Sequence, residues 1–291
     1  MKTTICFLAL LTIFVNRTPG QEPGFYPDKQ TTIIQRSADF TVRLQRAGGE
    51  DLRLSIDKRG HQVSSFLLPR EMAQVNKIEF VSTNRAVLLG YANGDVNEVI
   101  VVDLDSGKIA DRFHCYAPAL SPDKRFLAFV KFFPSHFVSG VSDEYMIYDL
   151  QKPPKMNRPP SVASDDVVNI GRAIYPRSAT NQPDDNVGRP ESEVHMMESA
   201  EFVWSPHGER LAFADRLQGR ISLIVIVLSD SGTAVNLKEV EIKKSDVCVA
   251  SEVDKCSFAV RSILFRDDEV KLKLRPGNSA LSVKDEIDIR M

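Results

Sequence analysis

Cysteine, glycine and tryptophan are scarce in this chain: 4, 15 and 1 among 291 residues. The cysteines never fall in a CxxC spacing, which removes the thiolate zinc and redox motifs that such spacing signals. Histidine is equally sparse. His61, His114, His136, His195 and His207 are all there are, and no HExxH pattern holds any of them. No GxSxG nucleophile elbow occurs, so the hydrolase chemistry built on that strained turn has no local signature. No GxGxxG and no P-loop occurs either, which removes two common glycine cradles for nucleotide phosphates. Neither sign of charge is in excess, with 37 basic residues against 39 acidic ones. That balance lacks the electrostatic footprint of a nucleic-acid binder. The longest apolar run, Ile5 to Val15, is well short of the roughly 20 residues a bilayer span needs.

That run follows Lys2 and precedes Thr18-Pro19-Gly20, which offers small residues at a cleavage position. The arrangement is that of a secretory signal peptide. Residues 1–20 are therefore expected to be removed near Gly20, leaving a secreted or periplasmic chain without a membrane span. Cys6 lies inside the apolar run rather than after it, which argues against a lipoprotein anchor. The sequon Asn16-Arg17-Thr18 falls in this segment and residues 21–291 carry none, which leans toward a bacterial source. An oxidising compartment permits disulfides. Cys248 and Cys256 flank a short polar stretch and are expected to pair, leaving Cys115 as a small buried hydrophobe.

What the chain does have is a ten-residue phrase used twice. Residues 121–130 read SPDKRFLAFV and residues 205–214 read SPHGERLAFA. Proline presets the backbone for a type I turn, and the residues after it complete a reversal. The apolar runs that follow suit strands buried on both faces. A second register comes from Asp57, Asp103 and Asp149, each closing a β-rich run and spaced equally along the sequence. Such an Asp can accept from its own following backbone in an Asx-turn.

These residues resemble the blade motif of TolB-like and WD-repeat-like β-propellers, in which four-stranded antiparallel blades repeat around an axis. The resemblance implies an all-β fold: a propeller-like array of about four or five recognisable blades, forming a single domain over residues 21–291. One blade is expected to use 38–45, 51–57 and 61–68, without an evident inner strand. The second uses 76–81, 85–91, 97–104 and 107–113. The third uses 116–120, 126–132 and 143–150, with its outer strand undefined. The fourth uses 199–204, 210–215, 220–228 and 233–242, and a weaker fifth spans about 255–289. The alternating segment 282–289 is expected to return to the first blade and close a ring.

Residues 151–198 interrupt the pattern. They hold seven of the sixteen prolines, and proline is excluded from inner strands, so an inserted, mostly irregular loop is expected. A degenerate blade is the alternative. This segment carries the best local constellation for chemistry: Asp184, Asp185, Glu191, Glu193 and His195. Hard oxygen ligands would favour calcium, but the spacing matches no calcium loop, and exposed acidic residues are ordinarily only solvated. Trp204 and the Met196-Met197 pair read as packing residues, and His207 as part of a turn. No cofactor or metal is expected. The expected function is an exported, non-catalytic propeller scaffold that binds a protein partner or small ligand. The alternative is a lyase or hydrolase with its active site on the axial face. Both rest on fold analogy.

Overall fold

The computed structural model describes residues 32–48, 51–70, 72, 74–93, 96–131, 143–151, 171–175, 194–199, 201–248, 256–266, 269–277 and 283–290. The expected signal segment lies outside them. The described chain is almost entirely antiparallel β-structure, with one short helix, α1 (Lys244–Val247).

The first sheet is a meander of β1 (Ile33–Arg36), β2 (Phe40–Gly48), β3 (Asp51–Lys58) and β4 (His61–Leu67). The second follows with β5 (Gln74–Ser82), β6 (Arg85–Asn93), β7 (Val96–Asp103) and β8 (Lys108–Leu120). β8 then belongs to two sheets. It pairs with β7 up to Cys115, opposite Asn97, and with β9 (Phe126–Lys131) from Cys115 onward, opposite Lys131. Its register shifts between Tyr116 and Ala119, and Ala117 sits at φ +47°. That left-handed residue bends the strand from one sheet into the next at a cost of about 1 kcal/mol. β10 (Tyr145–Asp149) and β11 (Arg172–Tyr175) complete the third sheet.

In the fourth sheet two short strands share the inner position along β14 (Arg210–Leu217). β12 (His195–Met197) pairs with its end and β13 (Val203–Trp204) with its start. β15 (Arg220–Leu228) and β16 (Ala234–Glu241) follow. The fifth sheet has three strands, β17 (Phe258–Arg266), β18 (Glu269–Pro276) and β19 (Glu286–Arg290). The Cys248–Cys256 disulfide ties α1 to the start of this sheet, and Cys115 is a free, buried thiol.

Strand alternation puts every second residue on each face, and four apolar cores result, each between consecutive sheets. Val42, Leu54, Leu88 and Ile100 fill the first. Val87, Val101, Leu127 and Phe129 fill the second. Ala128, Tyr145, Phe213 and Ile224 fill the third. Ala214, Leu223, Val260 and Leu272 fill the fourth. The middle sheets are thus apolar on both faces, which is why FLAFV and RLAFA read as unbroken runs.

The stack ends in polar faces. On the far face of the first sheet Arg43 meets Asp57 at 3.1 Å and Ser55 meets Ser65 at 3.1 Å. On the far face of the fifth, Lys271 meets Glu286 at 2.8 Å. Polar outer faces are what terminal repeats of a stack present to water.

Three expectations change. The first sheet's missing strand is β1, which pairs with β2 from Ile33 opposite Leu44. The C-terminal segment does not return to close a ring, because β19 pairs with β18 beside it. Ile287 and Ile289 pack on the last core, and burying them locally needs no long return. Within 151–198, β11 supplies the outer strand of the third sheet and β12 an inner strand of the fourth. Ile174 and Tyr175 are buried there, so these two pieces are structural despite the prolines around them.

Candidate functional site

The strands have two kinds of end. At one end lie the repeated Ser-Pro turns, and they share one hydrogen-bond scheme. Ser121 N–H donates to Phe126 O (2.8 Å), Lys124 N–H to Ser121 O (2.8 Å), and Phe126 N–H to Ser121 Oγ (2.9 Å). Ser205, Gly208 and Arg210 repeat these three contacts at 2.8, 2.9 and 3.0 Å. The fourth residue is left-handed in both, φ +60° at Lys124 and +80° at Gly208. At the same end Asp103 forms its Asx-turn, accepting from Ser106 N–H at 2.8 Å and Ser106 Oγ at 2.7 Å. Asp149 accepts from Gln151 N–H at 3.0 Å. His207 falls in one of these turns.

The opposite end carries charge. The residue directly after each repeated phrase is charged, Lys131 in one copy and Asp215 in the other, and both are buried. Lys131 Nζ donates to Glu144 Oε2 at 2.7 Å, with both side chains essentially solvent-free, on the face toward the second sheet. Arg112 pairs with the fully buried Glu98 toward the first sheet. Arg216 meets Glu198 at 2.8 Å toward the fifth.

Between the third and fourth sheets lies the densest cluster. Asp215 accepts from Tyr145 OH on Oδ1 at 2.5 Å, and its Oδ2 lies 2.6 Å from His195 Nδ1. Tyr145 stacks on Phe213 with ring centroids 4.3 Å apart, and Tyr175 meets the His195 ring edge-on at 5.3 Å. Asp143, just before β10, holds β12 from across the interface. Its N–H donates to His195 O at 2.8 Å, and its Oδ2 accepts from Met197 N–H at 2.7 Å. Burial, with the Asp215 charge added, pushes the Asp143 carboxyl up to about 6. Burial and the same Asp215 charge push the Tyr145 phenol far above its ordinary value. The His195 side chain keeps 12% of its exposure and Asp215 only 2%, so solvent reaches the pair through the imidazole.

This arrangement can orient an imidazole, place a protonatable carboxyl beside it, and hold both against aromatic walls. An aspartate on Nδ1 fixes a histidine's tautomer and ring plane, as in acid–base catalysts and in ligand-binding rims alike. No group of three His, Cys, Asp or Glu side chains among the described residues could hold a metal ion.

Of the residues singled out from sequence, His195 enters this cluster. Asp184, Asp185, Glu191 and Glu193 lie outside the described residues. Trp204 donates Nε1–H to Ala119 O at 3.1 Å, binding the inner strands of the third and fourth sheets. Met197 packs in the third core, while Met196 is exposed. Sequence reasoning missed Asp143, Tyr145, Tyr175 and Asp215. One signal was present for Asp215: it continues the inward-facing series Leu211, Phe213, where a charge is costly unless paired.

No family profile matches the chain, and no curated protein shows significant similarity to it. Solved structures do resemble it. A eukaryotic initiation factor is 8% identical with a TM-score of 0.41, over 90% of this chain and 56% of its own. TolB from Acinetobacter baumannii is 11% identical with a TM-score of 0.30, over 87% of this chain and 52% of its own. The β-propeller domain of the trilobed protease from Pyrococcus furiosus is 6% identical with a TM-score of 0.31, over 90% and 85%. The chain thus spans about half the length of the first two. No TM-score among the three reaches 0.5, so these likenesses assign no function.

Proposed function

We propose that the chain is an exported, propeller-type scaffold of TolB-like blades that acts by binding a protein or small ligand at the charged end of its sheets. The carrying observation is the concentration of polar groups there: a buried or half-buried ion pair at three of the four interfaces, and the buried Asp215–His195 contact at the other. Buried pairs contribute little net stability and are often matched or exceeded by apolar packing, so a row of them on one side favours a role beyond folding. A cleft of about 300 Å3 opens at this end between the fourth and fifth sheets, edged by Arg216 and floored by Ile221 and Phe258. That volume is at the lower bound of small-molecule sites.

The second reading, an enzyme, is favoured by the Asp215–His195 pair, which has the geometry of an oriented general base. One experiment separates them. The mature protein is screened by thermal shift against a metabolite panel, and assayed on ester, peptide, phosphate and glycoside substrates. A ligand-induced shift lost in Arg216→Ala or His195→Ala, with no turnover above a heat-killed control, supports binding. Turnover abolished by His195→Ala overturns it in favour of catalysis.

A further inference from the structure

The fifth sheet is one strand short. The other four are four strands wide, counting β8 in two of them and β12 with β13 as one position, whereas β19 ends the fifth at an edge with no further strand among the described residues. We propose that this edge is a strand-addition site for an extended polypeptide segment in which apolar residues alternate with lysine or arginine.

The backbone is set for it. Leu274 N–H donates to Asp285 O at 2.8 Å, and the register runs on from Lys273 opposite Glu286 to Glu269 opposite Arg290. Antiparallel pairs alternate between hydrogen-bonded and non-hydrogen-bonded. Ile287 and Ile289 therefore bond to β18, while Glu286, Asp288 and Arg290 direct their N–H and C=O groups outward. The Arg290 carbonyl shows that direction, accepting from Lys238 Nζ at 2.7 Å.

The side chains state which segment fits. Ile287 and Ile289 face the core, and Glu286 and Asp288 face the other way, where Lys271 meets them at 2.8 and 3.8 Å. On its paired side β19 therefore accepts Val270-Lys271-Leu272-Lys273-Leu274, apolar against apolar and lysine against acid. A segment of the same alternation fits the open side. Its cations would lie beside Glu286 and Asp288. Its apolar side chains would lie against Val240, Ile242, Ile287 and Ile289 in a groove of about 420 Å3 between β16 and β19, whose remaining lining is charged and mostly acidic, Glu241 and Asp246 included. Charges on an edge discourage indiscriminate pairing; here they also select, since a strand of like or absent charge gains nothing from them. Strand addition of this kind takes affinity from main-chain bonds and specificity from alternate side chains.

The test uses the mature chain and a fluorescent peptide of sequence Glu-Val-Lys-Leu-Lys-Leu-Arg-Pro, copied from residues 269–276, read by anisotropy. Saturable binding is expected. Asp288→Pro removes one outward N–H and leaves the β18 ladder intact, because Asp288 makes no backbone bond to β18. Affinity should fall roughly tenfold, the equivalent of about 1.4 kcal/mol. Asp288→Lys should weaken binding similarly through charge, and it covers the case in which the proline variant fails to fold. A scrambled peptide of equal composition should not bind. Several results would overturn the proposal: no saturable binding, equal binding of the scrambled peptide, or unchanged affinity in both Asp288 variants. Self-association that the peptide dissolves would replace the proposed occupant with a second copy. Binding seen only after deletion of residues 21–31 would replace it with the chain's own segment. None of these readouts involves His195 or Arg216, so the outcome is independent of the charged-end reading.

Discussion

The two ends of the sheet stack are built on opposite principles. At the turn end, each unit solves its own problem: Ser121 and Ser205 satisfy the same three backbone contacts within five residues. At the charged end, Glu98, Lys131 and Glu198 find partners within their own sheets, but the Asp215 cluster spans two sheets. Asp215 on β14 is satisfied by Tyr145, 70 positions away, and by His195 from another strand. The turn end repeats because its interactions are local. The charged end varies: at corresponding positions Lys131 pairs with Glu144, 13 residues on, whereas Asp215 reaches Tyr145 across the interface. Structural repetition and chemical individuality thus occupy opposite ends of the same strands.

The strongest way to break this contrast is to unpair a buried charge. Lys131→Met removes the cation beside the buried Glu144, and should destabilise the protein by about 3–5 kcal/mol. The double variant Lys131→Met/Glu144→Leu should recover most of that loss. Urea denaturation of both variants tests this, and a double variant as unstable as the single one would show that the pair is worth more than its burial cost.

A smaller effect isolates the carboxyl that clamps β12. The Asp143 group titrates near 6 in the folded protein against 3.8 ordinarily. Protons are then bound more tightly by the native state, so its contribution is fully present below about pH 4 and is lost as pH rises toward 6. Asp143→Asn keeps an acceptor for Met197 N–H without the charge. Above pH 6 the variant should be more stable than the parent, on the order of 3 kcal/mol, and the difference should vanish near pH 4. Melting curves between pH 4 and 8 read this directly, and parallel pH profiles for the two proteins would remove Asp143 as the source.

The smallest effect sharpens the turn end. Ser121→Ala and Ser205→Ala each delete the hydroxyl that accepts from the first strand N–H, at about 1 kcal/mol. Ser121→Ala should cost somewhat more, because Ser121 Oγ also donates to Asp123 Oδ1 at 2.5 Å. The turns lie close together, since a side chain at Gly208 would meet Pro122 at 3.5 Å, yet neither hydroxyl bonds the other turn. The double variant should therefore be additive. A double variant far from the sum of the single costs, measured by chemical denaturation, would show that the two turns are coupled.

Much of the fold is legible in the sequence. The Ser-Pro phrases, the apolar runs that follow them in β9 and β14, and the Asp series place strands close to where they occur. β1 and β11 were not readable. Each has four residues, too few for a period-two pattern to stand out, and β11 sits among prolines that argue against a strand. The site was less legible still. His195 stood out as a rare residue type, but Tyr145 reads as an ordinary strand aromatic and Asp143 as a loop acid. Their roles depend on the third sheet facing the fourth.

By itself, the sequence determined the β-class, the turn chemistry and the pairing of Cys248 with Cys256. Those features are decided within a strand or a turn, where side-chain identity and backbone preference act over a few residues. Tertiary structure alone decided that β19 stays beside β18, that the stack ends in polar faces, and that Asp143, Tyr145, His195 and Asp215 meet. Those outcomes depend on which face of each sheet meets the next, and on the cost of leaving a buried charge without a partner supplied from dozens of residues away.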